Sequence, residues 1–251
     1  MISLRVATLN IHKGLSQFNR RVVIHELRSG LRALDADIVF LQEVQGLNER
    51  HASRFAQWPS TPQHEFLAEG QWEHTYGRNA VYDHGHHGNA ILSRFPIRTI
   101  GNRDISVHRY EHRGLLHCEI DVPGTDLPVH AVCVHLSLQA RGRTLQLTML
   151  SEHLSAIVAP TAPLIIAGDF NDWQHAASHS LSMHLGLQEV SIAVSGRPAR
   201  TYPSMLPMLC LDRIYVRGFS VNDARARRGR PWSLLSDHLA VTADLTFTTP
   251  F

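Results

Sequence analysis

The stretch Leu164-Ile165-Ile166-Ala167-Gly168-Asp169-Phe170-Asn171-Asp172 decides the fold. Its apolar run, bounded by Pro163 and Gly168, has the length and continuity of a fully buried strand. Directly beyond it the chain presents a carboxylate, an amide and a second carboxylate. Asp and Asn are common where a strand enters a loop, because their side chains satisfy nearby main-chain amides. They are also the hard oxygen donors of a Mg²⁺-phosphate site, and open α/β sheets hold ligands outside the carboxyl ends of their strands. The motif alone leaves both readings standing, so the rest of the chain decides between them.

Toward the N-terminus the pattern recurs. Residues 3–10 alternate as a strand that ends in Asn10 and runs into the polar turn Ile11-His12-Lys13-Gly14. Val23, Leu27, Leu31 and Leu34 predict an amphipathic helix over residues 22–34, and Ile38-Val39-Phe40-Leu41 then forms a second buried strand ending in Gln42-Glu43. A right-handed crossover between parallel neighbours puts Asn10 and Glu43 on one rim. Residues 114–120 and 127–134 read as a hairpin around Pro123-Gly124-Thr125-Asp126, the second strand ending in His135. Leu147, Leu150, Leu154 and Ile157 mark the helix that feeds the 164–169 strand. Strand, helix, strand therefore occurs twice, each time ending in a carboxylate.

Other segments are less regular. Residues 47–71, punctuated by Pro59 and Pro62, read as surface helices and loop. Residues 78–82 and 89–93 read as strands around a loop at 83–88. The spacing of His84, His86 and His87 there suits a transition metal, but no cysteine or second histidine pair completes a closed site, so a substrate-facing or solvated loop is the simpler reading. Near the C-terminus, Asp212-Arg213-Ile214-Tyr215-Val216 opens a strand with an acid, and Ser236-Asp237-His238 precedes the last strand. Between them Arg225-Ala226-Arg227-Arg228-Gly229-Arg230-Pro231-Trp232 is either a solvated turn, the usual fate of a charge run, or a phosphate-attracting lip beside Asp237 and His238.

Composition bounds these readings. A chain of 251 residues without a low-complexity linker is read as one domain, 1–251, and 43% hydrophobic with 18% charged residues is an ordinary globular balance. No signal peptide or membrane span is visible, and Cys118, Cys133 and Cys210 cannot form a closed disulfide set, so the expected location is cytoplasmic. A net charge of +2 does not by itself mark a nucleic-acid binder. Lys13 is the only lysine, and it follows the first strand directly. The 18 histidines are read mostly as solvated or hydrogen-bonded fillers.

The strand ends Thr8-Leu9-Asn10, Leu41-Gln42-Glu43-Val44, Val134-His135-Leu136, Gly168-Asp169-Phe170-Asn171, Leu211-Asp212-Arg213-Ile214 and Ser236-Asp237-His238, in this order, resemble the endonuclease/exonuclease/phosphatase superfamily. Tyr76-Gly77-Arg78-Asn79-Ala80-Val81-Tyr82 and His86-His87-Gly88-Asn89-Ala90-Ile91-Leu92-Ser93-Arg94 further look like a small bacterial branch, the YbhP-like proteins. The resemblance implies a four-layer α/β sandwich: two mixed β-sheets packed face to face, with helices on the outer faces. It also implies a metal-dependent hydrolase using Mg²⁺, with Mn²⁺ as the alternative. By that likeness Glu43 is the principal metal ligand, assisted by Asn10 and, directly or through water, by Asp237. Asp169 orients or deprotonates the attacking water, Asn171 donates to phosphate oxygens, His238 contacts the scissile phosphate with its tautomer fixed by Asp212, and His135 is a further donor. Asn89, Lys13, Arg113, Arg227, Arg228 and Trp232 are assigned to substrate binding.

This division of labour is physically coherent, because in-line attack on a phosphodiester needs a positioned water, neutralised non-bridging oxygens and a stabilised leaving oxygen. Val44 and Gln45 follow Glu43 where base-excision endonucleases of the superfamily carry Thr-Lys, and His135 stands where they carry a tyrosine. That argues against abasic-site cleavage and toward the neutral sphingomyelinase-like, tyrosyl-DNA phosphodiesterase-like and phosphatase-like branches. The first reading is a phosphodiesterase for a small or lipid-derived diester. The second is a nuclease or DNA-end processing enzyme, its arginines holding backbone phosphates while Trp232 stacks a base. A binding module without activity would need a lost ligand, and none is missing. A lipid substrate calls for an exposed apolar lip, for which Pro203-Ser204-Met205-Leu206-Pro207-Met208-Leu209 is the candidate. Its plain reading is a buried loop, since exposed apolar patches are the exception.

Overall fold

Alternation along the strands sets the layers. In β1 (Ser3–Asn10) of the computed structural model, which describes residues 2–173 and 176–248, Leu4 and Val6 face one side and Ala7 and Leu9 the other, and both sides are buried. The further strands are β2 (Ile38–Asn48), β3 (Glu73–Tyr82), β4 (Gly85–Ser93), β5 (Ile97–Asp104), β6 (Gly114–Ile120), β7 (Val129–His135), β8 (Leu164–Asp169), β9 (Gln188–Glu189), β10 (Asp212–Arg217), β11 (Phe219–Ala226) and β12 (Val241–Phe247). The helices are α1 (Ile24–Leu34), α2 (Glu49–Arg54), α3 (Gln63–Ala68), α4 (Ala140–Ile157), α5 (Ala176–Leu185), α6 (Val190–Ser195) and α7 (Trp232–Leu235).

One sheet has the order β11-β12-β1-β2-β4-β3 and the other β5-β6-β7-β8-β10-β9. Each contains one parallel pair, β1 with β2 across α1 and β7 with β8 across α4, as the repeated strand-helix-strand pattern predicts. Three cores separate four layers. Leu4, Val6, Phe40, Cys118, Cys133, Ile165, Ile214 and Val241 fill the space between the sheets. Leu27, Leu31, Leu67 and Trp232 cover the outer face of the first sheet, and Leu147, Leu150, Leu154 and Leu181 that of the second.

Several expectations are corrected. The histidine loop shrinks to a turn at Asp83-His84, because β4 begins at Gly85 and takes His86 and His87 into the ladder. The edge strands β5 and β11 carry no apolar run, since most of their residues are partly or fully exposed, and this hid them in the sequence. Arg225 belongs to β11, and Trp232 opens α7 with its ring packed in the core outside the first sheet. The 203–209 segment is not buried: Met205 and Leu206 are each 68% exposed and Met208 60%. Among the described residues no helix is long and apolar enough to cross a membrane.

Candidate active site

Parallel strands end, and their antiparallel partners begin, on one rim, so chemistry spread over 230 residues of sequence converges there. In the first sheet Asn10 of β1 lies opposite Gln42 of β2, and β12 starts just after Asp237 and His238. In the second sheet His135, Asp169 and Asp212 lie side by side at the ends of β7, β8 and β10. Gly168 is required next to Asp169, because its φ is +150° and a Cβ there would stand 1.9 Å from the Val134 carbonyl oxygen.

Glu43 sits where the β2–β4 register shifts and takes a left-handed φ of 57°, a costly conformation for a residue with a side chain. Burial pushes its carboxyl up, but His135, Lys13, His12 and the Asn10 amide pull it down further, to about 2. His135 is itself held neutral by burial and by Arg113, so the permanent positive charge beside Glu43 is Lys13, whose Nζ lies 3.5 Å from Oε2. That Oε2 is buried and accepts no hydrogen bond.

Asn10 joins the two sheets, its Nδ2 donating to Glu43 Oε1 at 3.3 Å and to Asp169 Oδ2 at 3.1 Å. Its Oδ1 accepts the His12 amide. In this orientation Asn10 bridges two carboxylates, one of them the Glu43 expected to hold the metal beside it. Asp237 is held by His12, with Nδ1 3.3 Å from Oδ1, and by the Ser236 hydroxyl. A buried, ionised carboxylate oxygen that accepts no hydrogen bond, with a second carboxylate on the same rim, fits a hard divalent cation such as Mg²⁺.

On the other side of the rim, His238 Nδ1 lies 2.8 Å from Asp212 Oδ2, and its Nε2 lies 3.8 Å from Asp169 Oδ2. Burial opposes the imidazolium, but Asp212 and Asp169 outweigh it and hold His238 protonated well above the ordinary histidine range. Ligand atoms of Asp169, Asp212 and His238 lie within 4.8 Å of one another, close enough for a cation. Asp212 on Nδ1 and Asp169 facing Nε2 make the trio a carboxylate–imidazole–carboxylate chain. Burial and the Asp212 charge raise Asp169, against the pull of His238, Asn10 and the Asn171 amide. His135 Nε2 lies 3.5 Å from the same Asp169 oxygen. Asn171, at φ 49°, donates its side-chain amide to the Leu136 carbonyl at 2.9 Å, which occupies one of its two amide hydrogens.

A family model, the endonuclease/exonuclease/phosphatase family, matches residues 7–238. The chain belongs to that family. It is 48% identical over 244 residues to YbhP of Escherichia coli K12, covering 97% of this chain and 96% of that one. Among solved structures, a conserved protein from Enterococcus faecalis superposes with a TM-score of 0.77 at 18% identity, covering 97% of this chain and all of that one. Truncated TDP2 of Caenorhabditis elegans gives 0.68 at 18% identity, with 98% of both chains covered. Members of the family are generally metal-dependent phosphoesterases.

The residues assigned to substrate binding separate on this family scaffold. Glu43, His87, Asn89, Arg113 and His135 line one small pocket at the rim. Asn89 spends its amide nitrogen on the Gly114 and Cys133 carbonyls of the opposite sheet, so it ties the sheets together rather than offering that donor to a substrate. Arg113 is fixed by Glu111 and the Leu136 carbonyl. Arg227 donates Nε to the Thr242 hydroxyl, whereas Arg228 is exposed and lines a different pocket. Trp232 is 9% exposed, so it cannot stack a base.

His12, Tyr202 and Ser236 are the residues that sequence reasoning missed. The Tyr202 ring lies 4.9 Å from that of His238, and the Ser236 hydroxyl donates to the Asn10 carbonyl while accepting the His238 amide. His12 directly follows the strand-end motif, and Ser236 belongs to one, so adjacency was the available signal.

Proposed function

We propose that this protein is a metal-dependent phosphodiesterase acting on a lipid-derived phosphodiester. One observation carries the substrate class. The apolar tip Met205-Leu206-Pro207-Met208 stands exposed beside the catalytic rim, and the Ser204 amide ties its base to the Asp237 carbonyl at 2.7 Å. An exposed apolar patch of this kind marks a surface that meets apolar material. The nuclease alternative loses its stacking residue with the burial of Trp232.

Glu43 and Asp237 would hold a divalent cation, which would supply neutralisation of the charge that develops on the phosphoryl group. Asp169, with its proton affinity raised by burial, accepts a proton from the attacking water. His238, kept protonated by Asp212, donates from Nε2 to a non-bridging oxygen, and His135 supports the same region as a neutral ring. Lys13 adds positive charge beside Glu43, and Asn10 fixes the distance between Glu43 and Asp169.

The test compares wild type and Glu43→Ala, with Mg²⁺ and with chelator, on a vesicle-borne phospholipid diester, a single-stranded oligonucleotide and a soluble phosphomonoester. The expected result is hydrolysis of the lipid diester that disappears on chelation and in the variant. Metal-dependent cleavage of the oligonucleotide alone would overturn the substrate class.

A further inference from the structure

Beside the hairpin that carries the apolar tip lies a pocket of about 310 Å³, walled by α6, the segment from Arg197 to Arg200, and β11 with the loop after it. Arg197, Arg200 and Arg228 line it, and no carboxylate does. All three residues are exposed, and their side chains make no hydrogen bond or ion pair among the described residues. Acids pair with some of the other arginines, as in Arg5–Asp244, Arg28–Glu69, Arg94–Asp35, Arg113–Glu111 and Arg225–Asp223, but, among the described residues, with none of these three. Three like charges around one cavity with no counter-charge repel one another, and an anion in the cavity relieves that repulsion. The guanidinium fork matches phosphate oxygens two at a time.

The pocket adjoins the catalytic rim through the main chain. Arg200 precedes Thr201, whose carbonyl accepts the Leu239 amide at 2.9 Å, and Tyr202, whose ring packs on His238. Arg228 follows Arg227, whose amide donates to the Ala240 carbonyl at 2.8 Å. Both walls thus lie within a few residues of His238. Arg200 also stands at the base of the hairpin whose far end is the tip of Met205, Leu206 and Met208, closed by the Thr201–Leu209 and Tyr202–Leu209 main-chain bonds. No aromatic ring lines the pocket, so it lacks the stacking platform that single-stranded nucleic acid uses.

We propose that the Arg197/Arg200/Arg228 pocket is a second, non-catalytic phosphate subsite, and that it takes the headgroup phosphate of an anionic phospholipid neighbouring the molecule being cleaved. This rests on the lipid reading of the catalytic site. Apolar insertion together with electrostatic attraction to anionic headgroups is the combination that holds proteins at a lipid surface. The subsite would draw the enzyme to anionic surfaces and leave the chemistry at Asp169 and His238 untouched.

The experiment measures binding of wild type and the triple variant Arg197→Gln, Arg200→Gln, Arg228→Gln to phosphatidylcholine vesicles, to equimolar phosphatidylcholine/phosphatidylglycerol vesicles, and to a single-stranded oligonucleotide. Hydrolysis of a soluble chromogenic phosphodiester is followed in parallel. The exposed side chains can be replaced without loss of a hydrogen bond or ion pair among the described residues. A basic residue near an anionic surface contributes a roughly five-fold gain in affinity, so the variant is expected to lose on the order of 100-fold on anionic vesicles. Binding to neutral vesicles stays at the wild-type level, and the double variant Arg197→Gln, Arg200→Gln, which keeps Arg228, turns over the soluble diester as wild type does. Undiminished binding of the variant to anionic vesicles overturns the subsite, as does a wild type that does not distinguish the two vesicles. A variant that loses the oligonucleotide instead overturns it in favour of a nucleic-acid strand. Arginine-dependent vesicle binding without lipid hydrolysis would uphold the subsite while the proposed activity fails, so the two claims fail separately.

Discussion

Replacing Met205, Leu206 and Met208 together by serine tests whether the exposed tip enters lipid. These side chains are 68%, 68% and 60% exposed, so roughly two thirds of each is available for transfer out of water. Full burial of a Leu or Met side chain is worth about 1.5–3 kcal/mol, so complete immersion of the three exposed portions would give about 3–6 kcal/mol. If half of that surface enters the acyl boundary, the tip contributes about 2 kcal/mol, or roughly a 30-fold partition. The hairpin itself should survive, because main-chain bonds from Tyr202 to Met208 and Leu209 and from Ser204 to Asp237 hold it, and none uses the replaced side chains. Sedimentation with phosphatidylcholine vesicles reads the partition directly. Initial rates on vesicle-borne and soluble diesters show whether the loss is confined to the surface-bound substrate. A variant that binds vesicles and hydrolyses their lipid as wild type does would refute the reasoning, since no other part of the proposal assigns this tip a role.

Asp212→Asn is expected to lower kcat by about 10²–10⁴-fold, because the imidazolium of His238 loses the buried anion 2.8 Å from Nδ1. Its NMR titration should then move down toward the ordinary histidine range, and an unmoved titration would contradict that pairing. Trp232→Ala should cost about 3 kcal/mol in urea unfolding through lost core packing, with KM for any oligonucleotide unchanged; a KM effect at full stability would restore the stacking role. Acid should destabilise the fold well away from the site. Burial, with His130 and His153 adding to it, holds His117 down to about 3, and burial with His74 and His86 holds His64 down to about 4. The unfolded chain, with histidines near 6.5, binds more protons over the window between these values, so stability falls as pH falls below about 6.5. Each ring should cost about 2 kcal/mol at pH 5. Urea midpoints at pH 7 and pH 5 measure the drop, of which His117→Gln should remove about 2 kcal/mol; equal midpoints at the two pH values would contradict the burial of these rings as neutral species.

The rim chemistry was legible because apolar runs mark where buried strands reach the rim: Asn10, His135 and Asp169 end β1, β7 and β8 and Asp212 opens β10, whereas Glu43, read as a strand end, lies at an irregularity inside β2, which runs on to Asn48. The edges were not legible. β5 and β11 alternate too weakly for any period to show, and β4 carries His86 and His87 in positions that read as loop. Trp232 looked exposed because it follows a run rich in arginine, yet a ring on the first residue of a short helix follows the face of that helix, and here the face meets α1. The 203–209 segment misled in the opposite direction. Its apolar residues resemble core, but a hairpin closed by its own main-chain bonds can present them to solvent, and no local pattern reveals whether another layer covers it.

The two halves of the proposed machinery belong to different sheets, and this bears on why the rim end of the central core is polar. Glu43 and Asp237 ride on the first sheet, and Asp169, Asp212 and His135 on the second. Between the sheets the packing is apolar, and apolar contacts resist separation more than sliding, since their energy depends on area and hardly on register. Near the rim three buried amides cross the gap: Asn10 reaches Asp169, Asn89 reaches the Gly114 and Cys133 carbonyls, and Gln42 reaches Cys133 Sγ at 3.2 Å. Hydrogen bonds are directional, and a buried amide left unpaired costs about 1–3 kcal/mol, so a slip of one sheet against the other is opposed at these points. A displacement of about 1 Å between a cation and the group that activates water can cost on the order of 100-fold in rate. The amides therefore act on function more than on total stability, holding the carboxylates proposed for the cation and the aspartate proposed to activate water at one separation while the hydrophobic layers keep the sandwich closed.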